Sequence, residues 1–184
     1  IVNGSIIPGG TIEGGSSSDM LFGGSSANTG LTTVQNGLRT LQINRANGIT
    51  LQNDLTLSRL LFIQNGLLTL GTNNLTIGHN AFIFNPFNTN YVNTSSTGEL
   101  RKRFDLTTPT AFNFTVGNGG YSPNQVCFLS WTLAPGSYLA SRTVNAKHPQ
   151  NNCISDYLNR YWTVLPSGIS NFSSSDLSSI SATH

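Results

Sequence analysis

The residues that could carry out acid–base, nucleophilic or metal chemistry are few in this chain and lie far apart. Seven carboxylates and three histidines are scattered over 184 residues, and only 9% of the residues are charged. Asp19, Asp54 and Asp156 do not form the closely spaced pair that hydrolysis of a polysaccharide needs. No zinc-protease, nucleophile-elbow, dinucleotide or calcium-loop motif is present. The sequence therefore predicts a protein that is not an enzyme and has no catalytic residue, metal site or cofactor.

The two cysteines, Cys127 and Cys153, are the candidate covalent link. Neither cysteine has another cysteine or a histidine at the close spacing that is typical of a metal site. Outside the cytosol such a pair usually oxidises, and closing a loop of this length stabilises a fold by roughly 3–4 kcal/mol. A disulfide between them is the expectation, and two buried thiols are the alternative.

Threonines recur at a fixed spacing and could form rows of hydroxyl groups. Thr56 precedes Thr76, and Thr50 precedes Thr69, in both cases by about 20 positions. Stacked strands would place these hydroxyls in rows on two flat faces, an arrangement suited to binding ice or a polysaccharide. The alternative is simpler, because threonine is a favourable outward-facing strand residue.

Aromatic residues occupy another position with the same spacing. Gln42 is followed by Phe62 and Phe82, with Phe84 and Phe87 just beyond. Exposed rings in a row are seldom left in contact with water. Burial of these rings under the second half of the chain is therefore expected, and a strip that binds sugar or protein is the alternative.

The elements that must position these side chains are short strands that repeat along the first half of the chain. Residues 41–59 align with residues 60–80, and the triplet Leu-Thr-Leu at 55–57 matches Leu-Thr-Ile at 75–77. Each triplet is apolar, polar, apolar, so that its leucines and isoleucines point into a core while threonine points outward. One such coil cannot bury its apolar side chains alone, but stacked coils can.

Glycine marks the corners of this repeat. Asn47-Gly48 and Asn65-Gly66 stand at equivalent positions, where glycine permits a tight turn. The pattern predicts an all-β fold whose residues 1–92 form a short right-handed parallel β-helix of about 20 residues per coil. An ordinary β-sandwich with chance triplets is the alternative.

The pattern changes near residue 85. Pro86 and the polar run at 88–98 end the period, and separate β-like runs with Pro and Gly turns follow. Strands at such spacing predict an antiparallel β-sandwich in residues 93–184.

The composition sets further limits on function. Asn, Ser and Thr make up more than a third of the chain, and the net charge is +2. So few charges give no basic surface for nucleic acid, and no run of 18 apolar residues is present to span a membrane. Ile1 is not an initiator residue, so any export signal has been removed or lies outside this chain. These features favour an extracellular, β-rich protein.

Several stretches together carry a resemblance that covers nearly the whole chain. They are GTIEGGSSSDMLFGG at 10–24, TGELRKRF at 97–104, FTVGNGGYSP at 114–123 and LNRYWTV at 158–164, in addition to the repeats. The sequence resembles the repeat-bearing region of large secreted surface proteins of Bacteroidota. That resemblance implies export by the type IX route, a place at the cell surface, and a role as an adhesin or in cell-surface filaments, including gliding.

The expectation for function is a non-enzymatic extracellular module with a structural or adhesive role. Its partners would be other cell-surface protein segments or copies of itself, and surface glycans are a further possibility. Its candidate contact residues are Phe62, Phe82, Thr50, Thr56, Thr69 and Thr76. A carbohydrate-binding or carbohydrate-cleaving β-helix is the alternative, and ice binding is a third interpretation.

Overall fold

The computed structural model describes residues 1–6, 12–32, 37–84, 86–104, 110–128 and 131–171, which form β-strands and no helix. The strands, in chain order, are β1 (Asp19–Phe22), β2 (Thr29–Leu31), β3 (Gly37–Asn44), β4 (Ile49–Leu51), β5 (Leu55–Asn65), β6 (Leu68–Thr69), β7 (Leu75–Ile77), β8 (Phe82–Phe84), β9 (Val92–Asn93), β10 (Leu100–Lys102), β11 (Thr110–Phe114), β12 (Val116–Gly117), β13 (Asn124–Phe128), β14 (Thr132–Val144) and β15 (Tyr161–Ser170).

Most of these strands stack in parallel as a β-solenoid of about four turns with a spacing of about 21 residues. A five-stranded sheet has the order β12-β9-β6-β4-β2, and its pairs are all parallel. A larger, eight-stranded sheet has the order β1-β3-β5-β7-β10-β14-β15, with β8 paired to β5. The predicted all-β parallel solenoid is therefore confirmed.

Each coil contributes to three walls. The first wall is the five-stranded sheet. The second wall consists of residues 37–38 of β3, residues 55–57 of β5, and the strands β7 and β10. The third wall is β1, residues 40–43 of β3, residues 60–62 of β5, and β8. Strand β5 belongs to both the second and third walls, because its two ends pair with β7 and with β8.

The interior is a set of stacked leucine and isoleucine columns. Leu38, Leu57 and Ile77 follow one another through the second wall and are fully buried. Leu55 and Leu75 form a neighbouring column with at most 1% exposure. Burying a side chain of this size stabilises a fold by about 1.5–3 kcal/mol. The inward direction predicted for Leu55, Leu57, Leu75 and Ile77 is confirmed.

The corners between walls depend on glycine where the sequence predicted it. Gly48 and Gly66 have φ angles of 65° and 84°, in the left-handed region that glycine tolerates best. A Cβ atom on Gly66 would collide with the carbonyl oxygen of Arg45, and one on Gly48 would collide with the carbonyl oxygen of Leu67. These two glycines therefore permit both the turn and the close stacking of successive coils.

The second half of the chain differs from the sandwich expected for residues 93–184. Parallel pairing continues past residue 92, because β9 and β12 extend the first wall and β10 extends the second. The long antiparallel hairpin β14–β15 then joins the outer edge of β10, so it continues the larger sheet. Strands β11 and β13 form a separate two-stranded sheet. Among the described residues the hairpin β14–β15 thus continues the larger sheet of the solenoid, and the expected sandwich is not confirmed.

Candidate functional site

The threonine rows form in the predicted register but are short. Thr50 lies beside Thr69 in the first wall, and Thr56 lies beside Thr76 in the second. The first row continues into Gly30 on one side and Asn93 on the other, so the run of hydroxyls stops after two strands.

Two of these hydroxyls are also engaged within the protein. Thr50 Oγ1 donates to Asn28 Oδ1 at 2.9 Å, and Thr69 Oγ1 accepts a hydrogen bond from Asn93 Nδ2 at 3.3 Å. All four threonines are half-buried. The rows therefore offer no extended lattice of free hydroxyls to a repeating ligand.

The aromatic column has a different register from the predicted one. Phe62 is paired with Gln42 on one side and with Phe84 on the other, whereas Phe82 is paired with Leu60. The difference arises at the terminal corner (residues 78–81), which separates β7 from β8 and is two residues longer than the corner at 58–59. A shift of two residues keeps Ile83 inward in both registers, so the alternation of the strand could not have revealed this one.

The corrected register brings four apolar side chains together on the outer surface of the third wall. We name this surface, formed by Leu60, Phe62, Phe82 and Phe84, the apolar platform. The rings of Phe62 and Phe84 meet edge to face, with centroids 5.3 Å apart and an interplanar angle of 68°. Such pairs are favourable beyond their area of contact.

The platform is exposed. Phe82 and Phe84 are 51% and 55% exposed, Leu60 and Phe62 are half-buried, and nearby Phe87 is 64% exposed. The expectation that this column is buried under the second half of the chain is therefore wrong. The reason is that the hairpin β14–β15 docks on the second wall through β10 and leaves the outer surface of β8 uncovered.

The same surface is mostly polar further towards the N-terminus. In the strands before the platform, its positions hold Asp19 and Thr40 in one row, and Leu21 and Gln42 in the next. The outer positions of the other two walls are small or polar, as at Gly30 and Thr50. The platform is therefore a local apolar area on a mostly polar solenoid surface, the pattern that marks a contact site.

Two buried cations lie near the two ends of the solenoid, and the sequence analysis missed both. Arg45 is fully buried and donates to the carbonyl oxygens of Val2, Gly4 and Gly23 at 2.7–3.1 Å. Lys102 is 5% exposed and occupies the inward position next to Ile77. The triplet Leu-Arg-Lys at 100–102 was the available signal, because its third residue falls where earlier coils carry leucine or isoleucine.

Backbone carbonyl groups of the terminal corner hold the Lys102 ammonium. Its Nζ donates to the carbonyl oxygens of Gly78, His79 and Ala81 at 2.7, 2.9 and 2.7 Å. It also lies 5.2 Å from the centre of the Phe112 ring on β11. Burial lowers the pKa of Lys102 to about 8.

A cleft of about 620 Å³ opens beside the terminal corner. It is lined by His79, Arg103, Phe104, Trp131 and residues 132–137. The rings of Phe104 and Trp131 lie 5.6 Å apart at its floor but are only 8% and 5% exposed. Since so little of either ring is accessible, the cleft offers no stacking surface to a sugar.

Other titratable groups of the described residues form ion pairs, among them Asp19–Arg39 and Glu99–Arg101. Asp19 pairs with Arg39 across neighbouring strands of the third wall, and this guanidinium, followed by the Thr40 hydroxyl, lowers the pKa of Asp19 to about 2. The described part of the chain contains no group of three side chains suited to holding a metal ion.

The two cysteines are free thiols in this structure, in contrast to the disulfide expected from the sequence. Cys127 is half-buried on β13, opposite Ala111, whereas Cys153 lies exposed in the segment between β14 and β15. That segment has its own hydrogen bonds, since the Cys153 amide donates to Asn151 Oδ1 and its carbonyl accepts from Lys147 Nζ. These contacts hold Cys153 within its own loop.

Comparison with known proteins adds no relative. The chain matches no protein-family model, no curated protein and no solved structure. Within the described residues no helix has the length and apolar character needed to cross a membrane.

Proposed function

We propose that this chain is a non-enzymatic structural and adhesive module of an extracellular surface protein, and that the apolar platform is its contact surface. The observation that carries the proposal is the exposure of Phe82 and Phe84, whose rings are more than half accessible on the outer surface of a sheet. Apolar areas of this kind, surrounded by polar surface, are typical of interaction sites.

The occupant that fits the platform best is the platform of a second copy of the chain. Outer surfaces of β-sheets pack face to face at about 10 Å, and two identical surfaces can do so around a twofold axis. The platform carries no charge, so docking two copies desolvates no ionised group there.

The platform fits a sugar less well. Recognition of a sugar needs hydrogen-bonding groups for its hydroxyls beside the ring that it stacks on. Leu60, Phe62, Phe82 and Phe84 have no polar side-chain atom. Carbohydrate binding is therefore the alternative that the experiment must separate from self-association.

Sedimentation equilibrium of the purified chain over a wide range of concentration tests the proposal. The wild type should associate, and the variant Phe82→Ser/Phe84→Ser should weaken association at least tenfold. Leu165→Ser is the matched control, because Leu165 is 52% exposed on β15, outside the platform, and its loss should leave association unchanged. Equal association of wild type and platform variant would overturn the proposal.

A second experiment, an adhesion assay, separates carbohydrate binding from self-association. Beads coated with each protein are tested on surfaces of cellulose, chitin and pectin, and on a surface coated with the same protein. Binding to a glycan that is lost in the platform variant, without any self-association of the wild type, would favour carbohydrate binding.

The variant Phe82→Ala is expected to lower the free energy of unfolding by less than the roughly 3–5 kcal/mol lost with a buried phenylalanine, because about half of the Phe82 surface is already in water.

A further inference from the structure

The position of Lys102 is unusual for a charged residue. The column that contains it runs Leu38, Leu57, Ile77, Lys102 and then Leu139, so a lysine replaces an apolar residue in the last parallel rung of the second wall. Within the part of the chain that the structure describes, its ammonium contacts no carboxylate and donates three hydrogen bonds, to carbonyl oxygens of the terminal corner.

That corner leads directly into the apolar platform. Ala81, whose carbonyl oxygen accepts one of the three hydrogen bonds from the ammonium, immediately precedes Phe82. The Ala81 amide closes the turn by donating to the Gly78 carbonyl at 3.0 Å. The corner is also the element whose extra length sets the register of β8 against β5. Whatever fixes the corner therefore fixes where Phe82 and Phe84 lie.

We infer that Lys102 is the positioning residue of the apolar platform: its ammonium gathers three carbonyl groups of the terminal corner and thereby holds Phe82 and Phe84 in place for docking. The inference rests on the proposed function of the platform. Lys102 itself is 5% exposed and makes no contact with a docked partner.

The geometry separates this role from a contribution to overall stability. Replacing Lys102 by methionine restores an apolar residue to the column and removes a desolvated charge, a change that is often neutral or stabilising for the fold. It also removes the ammonium donor from the three corner carbonyls, although the Gly78 carbonyl keeps the hydrogen bond from the Ala81 amide, and this cost falls on residues 78–84. Lys102→Met should thus keep the solenoid folded while loosening the platform.

Three measurements on the full chain test the inference. Sedimentation equilibrium should show association weakened at least tenfold in Lys102→Met. Hydrogen exchange should accelerate at residues 78–84 while residues 55–63 keep their protection. In Lys102→Ala, which leaves space for a small cation, added methylammonium should restore association, whereas tetramethylammonium, which has no N–H group, should not.

A pH series supplies a further readout. Because burial lowers the Lys102 pKa to about 8, wild-type association should weaken between pH 7 and pH 9.5. Lys102→Arg keeps its charge throughout and should not show this change. Among the described residues, the titratable and charged side chains on the surrounding elements include His79 on the corner, Glu99, Arg101 and Arg103 near Lys102, and Tyr138 and Arg142 on β14. His79→Gln should retain the wild-type pH dependence.

The outcomes distinguish a failure of the platform as the contact surface from a failure of Lys102 as its positioning residue. If the variant Phe82→Ser/Phe84→Ser associates like the wild type, the proposed function fails. If that variant loses association but Lys102→Met remains within twofold of the wild type, the platform stands and the role of Lys102 is overturned. Exchange that accelerates equally over the whole solenoid in Lys102→Met would also overturn it, because it would indicate a purely structural residue.

Discussion

At the scale of single residues, the molecule depends on strict alternation between inward and outward side chains. Leu75 is fully buried between Leu55 and Leu100, whereas its neighbour Thr76 points outward between Thr56 and Arg101. This alternation could be read from the sequence, because an apolar, polar, apolar triplet has one consistent arrangement in a stacked strand.

Replacing Leu75 by aspartate should destabilise the solenoid by several kcal/mol, because it places an unpaired carboxylate in a dry column. Thr76→Asp is the matched control, and its outward carboxylate should have a small effect. Urea unfolding of both variants measures the difference. Equal midpoints for the two would contradict the register of the second wall.

The Asp19–Arg39 pair makes a pH-dependent contribution on the surface of the third wall. The pKa of Asp19 is lowered from 3.8 to about 2, so the unfolded chain binds the proton first as the pH falls. The contribution is therefore complete above about pH 4 and is lost as the pH falls towards 2. In urea unfolding at pH 2–6, wild type and Asp19→Asn should differ most at pH 6 and converge near pH 2. A difference that stays constant over this range would rule out the pair as its origin.

At the scale of elements, corners decide which strands meet. The corners with glycine were predictable, because Asn-Gly recurs with the repeat. The length of the terminal corner was not predictable. Ala81 is apolar and follows Leu41 and Leu61 at the same spacing of 20 residues, so it fits the inward position that a corner of normal length would give it. The inward position of Lys102 could be read from the triplet at 100–102, but its partners and those of Arg45 could not, since backbone carbonyls leave no trace in the sequence.

Gly66 and Gly71 allow the two roles of a corner glycine to be separated. Both have a left-handed φ, 84° and 61°, but a Cβ on Gly66 would collide with the Arg45 carbonyl, whereas one on Gly71 has no atom within 4 Å. Gly71→Ala should cost about 1 kcal/mol from its backbone conformation alone. Gly66→Ala should cost clearly more, and thermal unfolding of the two variants gives the comparison. Similar losses for both would mean that coil stacking does not require the missing Cβ.

At the scale of the whole molecule, one sheet connects the two halves that the sequence had separated. Strand β10 is parallel to β7 on one side and antiparallel to β14 on the other. A boundary at residue 92 was a reasonable prediction, because the 20-residue period ends near residue 85, at Pro86 and the polar run 88–98. The continuity of the sheet could not be predicted, because pairing between β10 and β14 has no local signal in either strand.

This continuity predicts a single unfolding transition. Two independent units, residues 1–92 and 93–184, would each unfold at a temperature of their own. A shared sheet couples them, so the calorimetric and van't Hoff enthalpies of unfolding should agree. Two resolved heat-capacity peaks would contradict the coupling.

The place of β10 in the sheet also imposes an order on folding. Each coil pairs with residues about 20 positions away, whereas β14 must return over about 40 positions to reach β10. Closing the longer loop costs more chain entropy, so the coils form first and the hairpin docks last. Until it docks, β10 presents an open strand edge, the state in which one nascent molecule can pair with another. Pulsed hydrogen-exchange labelling during refolding should find β14 and β15 protected after β3 and β5, which would identify the hairpin as the late step that protects this chain from aggregation.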